Sequence, residues 1–158
     1  YFNSQKSDTE FYQKEINGIK FGFLGFDLIT YPKFDHQKIL DLISKYDSQV
    51  DWLIVSIHWG NEYLPAVENW RVTLAHQMVD AGADLIHGHH PHVLQESESY
   101  QNKLIFYSLG NFIFDQNWSV PTSTSEIVIL TLDKNKIIDQ KTIPLQIKNN
   151  SRPEVVIN

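Results

Sequence analysis

WLIVSIHWGNEYLPAVENWRVTLAHQMVDAGADLIHGHHPH, residues 52–92, holds in one stretch the pattern that sets the fold. Residues 52–57 form a short, almost unbroken apolar run, the mark of a strand buried on both faces. Over 69–81, Trp70, Leu74 and Met78 recur on one helical face, with Gly82 placed to end the helix. Residues 84–87 then return as a short strand. Upstream the grammar repeats. Asn17-Gly18 is a turn signal, 19–26 is a β-prone apolar run, and over 35–47 Ile39, Leu42, Ile43 and Tyr46 recur at helical spacing behind Asp35 as N-cap. Strand, helix, strand, helix, strand predicts a mainly parallel sheet covered by helices, with ligands at the carboxyl ends of its strands.

Downstream the texture changes. Residues 93–98 and 103–107 flank the polar turn Tyr100-Gln101-Asn102, and 126–132 and 136–145 flank Asp133-Lys134-Asn135. Both read as hairpins, so the last third is expected to be antiparallel. The fold class is therefore α/β passing into α+β: a mixed sheet with two helices, then hairpins. Residues 1–14 are polar and aperiodic and read as loop. Positions 149–158 read as a loosely held tail behind a single domain, 1–148.

Composition limits the function classes. The chain has 158 residues, 42% of them hydrophobic, enough for one core. A net charge of −6 and the absence of a basic stripe argue against nucleic acid and anionic lipid as partners. With no cysteine, a metal must be held by nitrogen and oxygen ligands. No apolar run is long enough to span a bilayer, and the first residues lack the pattern of a signal peptide, so any anchor is expected outside this stretch.

Four of seven histidines fall in His87-Gly88-His89-His90-Pro91-His92, directly after a predicted strand. Neutral imidazole suits zinc, iron, manganese or nickel, and a turn with Gly88 and Pro91 confines several rings to a small volume. A histidine-rich surface turn is the plain alternative. His58 ends its own strand in the same way, which brings it beside the cluster if the two strands are parallel neighbours. Glu62, in the loop after His58, is open to three readings: ligand, partner orienting an imidazole, or solvated carboxylate. Asn111, in the turn after 103–107, can offer an oxygen to a metal or an NH₂ to an anion; a plain turn asparagine is the alternative. His36 and His76 sit on helices and read as ordinary surface or packing residues. No Asp or Glu is placed at a comparably persuasive strand end. No nucleophile elbow, phosphate-binding glycine loop or dinucleotide fingerprint is present, which leaves metal-assisted hydrolysis or transfer.

The segments His58-Trp59-Gly60-Asn61-Glu62-Tyr63, Ala81-Gly82-Ala83-Asp84-Leu85-Ile86, Gly88-His89-His90-Pro91-His92-Val93 and Tyr107-Ser108-Leu109-Gly110-Asn111-Phe112 resemble, in order and spacing, the carboxyl-terminal half of the CapA family of poly-γ-glutamate capsule biosynthesis proteins. The resemblance implies part of a calcineurin-like metallophosphatase sandwich with a two-metal site of Mn, Fe or Zn. It implies His58, His90 and His92 as metal ligands, His89 and Glu62 as the catalytic pair, and Asn111 and His87 as groups that meet substrate or orient ligands. The family's early Gly-Asp and Asn-Asn-His motifs are absent, so the stretch is expected to be a fragment that binds metal weakly until its other half is supplied. Implied partners are an anionic polymer such as poly-γ-glutamate and other capsule synthesis proteins. The implied location is the outer side of a bacterial membrane. Two other functions stay open: a non-catalytic scaffold of capsule export, and a phosphoesterase unrelated to capsule.

Overall fold

A computed structural model describes residues 11–30, 32, 35–149 and 151–156. Among these, one mixed sheet has the order β1-β2-β3-β4-β6-β5 and a second, antiparallel sheet the order β7-β8-β9. The strands of the first are β1 (Tyr12–Ile16), β2 (Ile19–Asp27), β3 (Trp52–His58), β4 (Leu85–His89), β5 (Ser97–Tyr100) and β6 (Lys103–Phe106). Those of the second are β7 (Thr124–Leu132), β8 (Ile137–Lys148) and β9 (Arg152–Val155). Helices α1 (His36–Asp47) and α2 (Asn69–Asp80) connect β2 to β3 and β3 to β4, and a single turn, α3 (Val120–Ser123), precedes β7.

The expected mixed α+β architecture is observed, and β2, β3 and β4 run parallel in register, so that Asp27, His58 and His89 lie side by side at their carboxyl ends. Asp35 caps α1 as expected, accepting from the Gln37 amide at 2.9 Å. Alternation along the strands turns Leu53, Val55, Ile57 and Ile86 toward the helices, where they bury completely against Ile39, Ile43, Leu74 and Met78.

Several expectations need correction. Tyr12, Gln13 and Lys14, read as loop, belong to β1, which pairs with β2 through an Asn17-Gly18 turn with both φ angles positive, the geometry of a tight two-residue hairpin. The first ten residues lie outside the described residues. Of the predicted strand 93–98 only Ser97 and Glu98 fall in β5, which runs on to Tyr100, and its partner β6 joins the main sheet parallel to β4, so antiparallel order starts later than expected. The 149–158 tail contains β9, held antiparallel to β8. Trp70 lies 43% exposed; α2 buries Arg71 in the neighbouring position instead. Finally, β4 extends to His89, so His87 and His89 are strand residues sharing one face, and only His90 to His92 form the turn.

Candidate metal centre

Three strand ends and two loops build the site. His58 closes β3 and His89 closes β4, with ring centroids 4.8 Å apart. Beyond β4 the chain reverses at once: His90 takes φ 104° and His92 φ 60°, and Tyr63 on the facing loop takes φ 61°. Left-handed backbone costs a non-glycine residue about 1–3 kcal/mol. These residues are held there by the surrounding contacts: the Tyr63 amide donates to the Pro91 carbonyl at 2.8 Å and the Trp59 amide to the His89 carbonyl at 3.1 Å. Gly88 permits the close approach beneath, since a Cβ there would overlap both Trp59 Nε1 and the Tyr107 carbonyl oxygen.

The imidazoles converge. His58 Nε2 lies 2.8 Å from His90 Nδ1. His92 Nε2 lies 3.9 Å from Glu62 Oε1. One ligand atom from each of Glu62, His90 and His92 falls within 4.8 Å of the other two. Two ligands on one ion at the usual bond lengths of about 2.0–2.2 Å sit about 3–4 Å apart, so these donors fit around a single divalent ion with small side-chain adjustments.

Asn111 decides the tautomer of His92. Its Nδ2 donates to the carbonyls of Thr122 at 3.0 Å and His92 at 3.3 Å, which fixes which amide atom is the oxygen. That oxygen then lies 2.7 Å from His92 Nδ1, so Nδ1 bears a proton and, in the neutral ring, the lone pair is on Nε2, which faces Glu62. Asn111 thus aims an imidazole, and its oxygen is engaged in doing so.

Burial favours the neutral form of His58, His87, His89 and His90. His89 is pushed down to about 4, first by burial and then by His58 and His87, with Asp27 opposing. His58 is lowered by burial, with Asp27 opposing and His92 adding, and His90 by burial and then His58. His87, lowered by burial alone, faces a cavity of about 450 Å³ that His89, Asn111 and Glu126 also line. Its ring lies 5.8 Å from that of His89. Neutral imidazole is the form that binds metal.

The expectation that no carboxylate occupies a strand end is overturned by Asp27. It ends β2 in register with His58 and is 9% exposed. Burial would raise its pKa, but bonds from the Thr30 hydroxyl and the Thr30 and Ile29 amides, with His58 nearby, hold it below the usual value. The same signal that singled out His58, a polar residue closing an apolar run, was present at Phe26-Asp27. Glu126, its pKa raised by burial, carried no such signal. His76 and His36 lie elsewhere: His76 meets Glu98 at 2.9 Å and stacks on Tyr100, and the His36 ring stacks at 6.1 Å from Trp70.

The profile of the bacterial capsule synthesis protein PGA_cap matches residues 2–116, a span that includes the site loops and stops short of β7. The chain belongs to this family. It is 40% identical over 136 residues to the PGA biosynthesis protein CapA of Bacillus subtilis (strain 168), covering 78% of this chain and 35% of that protein. It is 46% identical over 101 residues to the capsule biosynthesis protein CapA of Bacillus anthracis, covering 64% of this chain and 24% of that protein. This PGA_cap chain therefore spans only about a third and a quarter of those relatives. The crystal structure of a hypothetical protein from Thermus thermophilus shares the fold, with a TM-score of 0.66 at 13% identity over 92% of this chain and 65% of that one. Among the described residues no helix is long and apolar enough to cross a membrane.

Proposed function

We propose that the carboxyl end of the parallel sheet is a divalent metal centre serving hydrolysis or transfer on an anionic polymer, poly-γ-glutamate foremost, during bacterial capsule synthesis. The observation that carries this reading is the convergence of Glu62, His90 and His92, with His92 aimed by Asn111. His58, His90 and His92 would hold the ion through ring nitrogens, with Asp27 at hand as a carboxylate beside His58. A divalent metal held by these residues would supply Lewis acidity and a bound water of lowered pKa. Glu62, 48% exposed in its side chain and with Oε1 3.9 Å from His92 Nε2, would stand beside the ion as a carboxylate open to solvent. His89, 3.3 Å from the Ser56 hydroxyl and beside His58, lines the deeper part of the site as a ring that resists protonation.

The names of the relatives support the capsule setting, and the metallophosphatase resemblance supports two metals of the Mn, Fe or Zn kind. The remaining ligands would come from the longer polypeptide that the relatives possess. That whole protein would work at the cell envelope with other capsule synthesis proteins. A scaffold role without turnover is favoured by a different observation: Phe112, Ile113, Trp118 and Val120 are 51–74% exposed beside the site, an apolar surface suited to a protein partner.

The deciding experiment incubates poly-γ-glutamate with this chain and with the chain extended to the relatives' length, with Mn²⁺ or with chelator, and follows polymer length. Metal-dependent shortening or transfer that is lost in His58→Ala and His92→Ala supports the enzyme. Polymer binding indifferent to chelator, with no change of length, supports the scaffold.

A further inference from the structure

Arg71 has no place in the metal chemistry, yet its side chain is completely buried directly beneath it. A buried guanidinium is costly unless its donors are met. Nε donates to Glu68 Oε2 at 2.6 Å, and Nη2 closely approaches the same oxygen as an ion pair without making a hydrogen bond. The other Glu68 oxygen accepts from Asn61 Nδ2 at 2.8 Å, immediately before Glu62. Nη1 donates to Gln95 Oε1 at 2.9 Å. Gln95, three residues past His92, passes the connection on: its Nε2 donates to the Leu64 carbonyl at 2.7 Å and the Ala66 carbonyl at 3.3 Å, and its amide donates to the Ser108 carbonyl at 3.0 Å. Arg71 Cζ lies over the Trp59 ring, 5.6 Å from its centroid. Gly60, at φ +84°, passes so close that a Cβ would stand 2.7 Å from Arg71 Cζ.

One side chain therefore joins two segments directly, the loop bearing His58 and Glu62 through Glu68 and the chain that follows the His90–His92 turn through Gln95, whose own amide continues to the strand exit leading to Asn111. We infer that Arg71 is a positioning residue whose fork sets the spacing between the two ligand-bearing loops, through Glu68 on one side and Gln95 on the other. A lysine at this place offers a point charge that cannot satisfy both partners at once. The consequence for metal rests on the reading of the histidine cluster as a metal centre; the consequence for loop spacing does not.

The test uses Arg71→Lys and Arg71→Met, with Gln95→Leu as a third variant. Without metal, amide hydrogen exchange is read at Trp59 and Tyr63, which bridge the loops, and at Val55 inside β3. With Co²⁺ as probe, affinity is read from the visible absorption of the bound ion. Exchange at Tyr63 is expected to accelerate at least about tenfold while Val55 is unchanged, and Co²⁺ affinity to fall about 10- to 100-fold in the lysine variant as in the methionine one. Exchange at Tyr63 matching wild type in Arg71→Lys, or loss of protection equal at Tyr63 and Val55, overturns the inference and leaves Arg71 a general stabiliser. Wild-type protein that binds no Co²⁺, alone or extended, defeats the metal reading, and the exchange data still decide the positioning role. Should both Arg71 variants fail to fold, the same readouts on Gln95→Leu decide it.

Discussion

The two ends of the parallel sheet handle charge in opposite ways. At the amino end, carboxylates meet donors. Asp84 accepts from the Leu53 amide at 2.6 Å and closely from Lys103 Nζ, and Asp51 accepts from the Lys20 amide at 2.8 Å with Lys134 Nζ at 3.5 Å. Trp52 Nε1 adds a bond to the Asp133 carbonyl at 2.8 Å that ties the two sheets together. At the carboxyl end, ring nitrogens face one another and two carboxylates, and the loops 58–68, 90–96 and 107–119 contain no Lys or Arg. The amino end is built for stability. The carboxyl end clusters electron-pair donors in a strained turn, an arrangement that the proposed cation would complete.

Substitutions at each end probe that contrast. Gly88→Ala is expected to have the largest effect, about 3 kcal/mol of lost stability, because neither Trp59 nor the Tyr107 backbone has room to retreat; chemical denaturation measures it. At the amino end, Asp84→Ala strands the Leu53 amide and should cost about 2 kcal/mol by the same method. Equal tolerance of Asp84→Ala and His89→Gln would erase the distinction between the two ends.

Acid should act mainly on the carboxyl end. The folded-state pKa values of His58, His89 and His90 lie below the ordinary 6.5, so the unfolded chain binds more protons as pH falls. Their contribution is full above pH 6.5 and is lost on acidification, down to about pH 4 for His89. Melting temperature measured without metal should fall across that window, and His89→Gln should flatten the fall; an unchanged slope would count against burial as the cause. Asn111→Ala, which leaves the Thr122 carbonyl and the His92 Nδ1–H without their partner, should cost no more than about 1–2 kcal/mol of stability. It should nevertheless weaken metal binding about 10- to 100-fold by freeing the His92 tautomer, as read by titration calorimetry. Unchanged affinity would remove Asn111 from the site.

Much of this was legible in residues 52–92, because each strand is a local apolar run and each helix a local period. His58 and the cluster could be placed side by side from strand order alone. What escaped depended on distant partners. The turn at Tyr100-Gln101-Asn102 announces that β5 and β6 pair, but nothing nearby says that β6 also lies parallel to β4. β9 contains Pro153 and few apolar residues, which suits an edge strand yet resembles a tail. Asp27 was missed for a local reason: the apolar run was read as ending at Phe26, one residue short of the strand's last member. The positive φ values of His90 and His92 occur at residues whose type gives no hint of them. Buried Arg71 lies next to Trp70, and side-chain hydrophobicity favours the wrong one of the two.

Whether these histidines gather a metal ion is decided most sharply by X-ray absorption at the zinc edge. Spectra are recorded on the Zn²⁺-loaded chain and on the chain extended to the relatives' length, each with wild-type sequence and with His92→Ala. A metal centre here predicts an imidazole scattering pattern with nitrogen and oxygen neighbours at about 2.0–2.1 Å, stronger in the extended protein and diminished in His92→Ala. Zinc without imidazole neighbours, or no retained zinc in either protein, would contradict it.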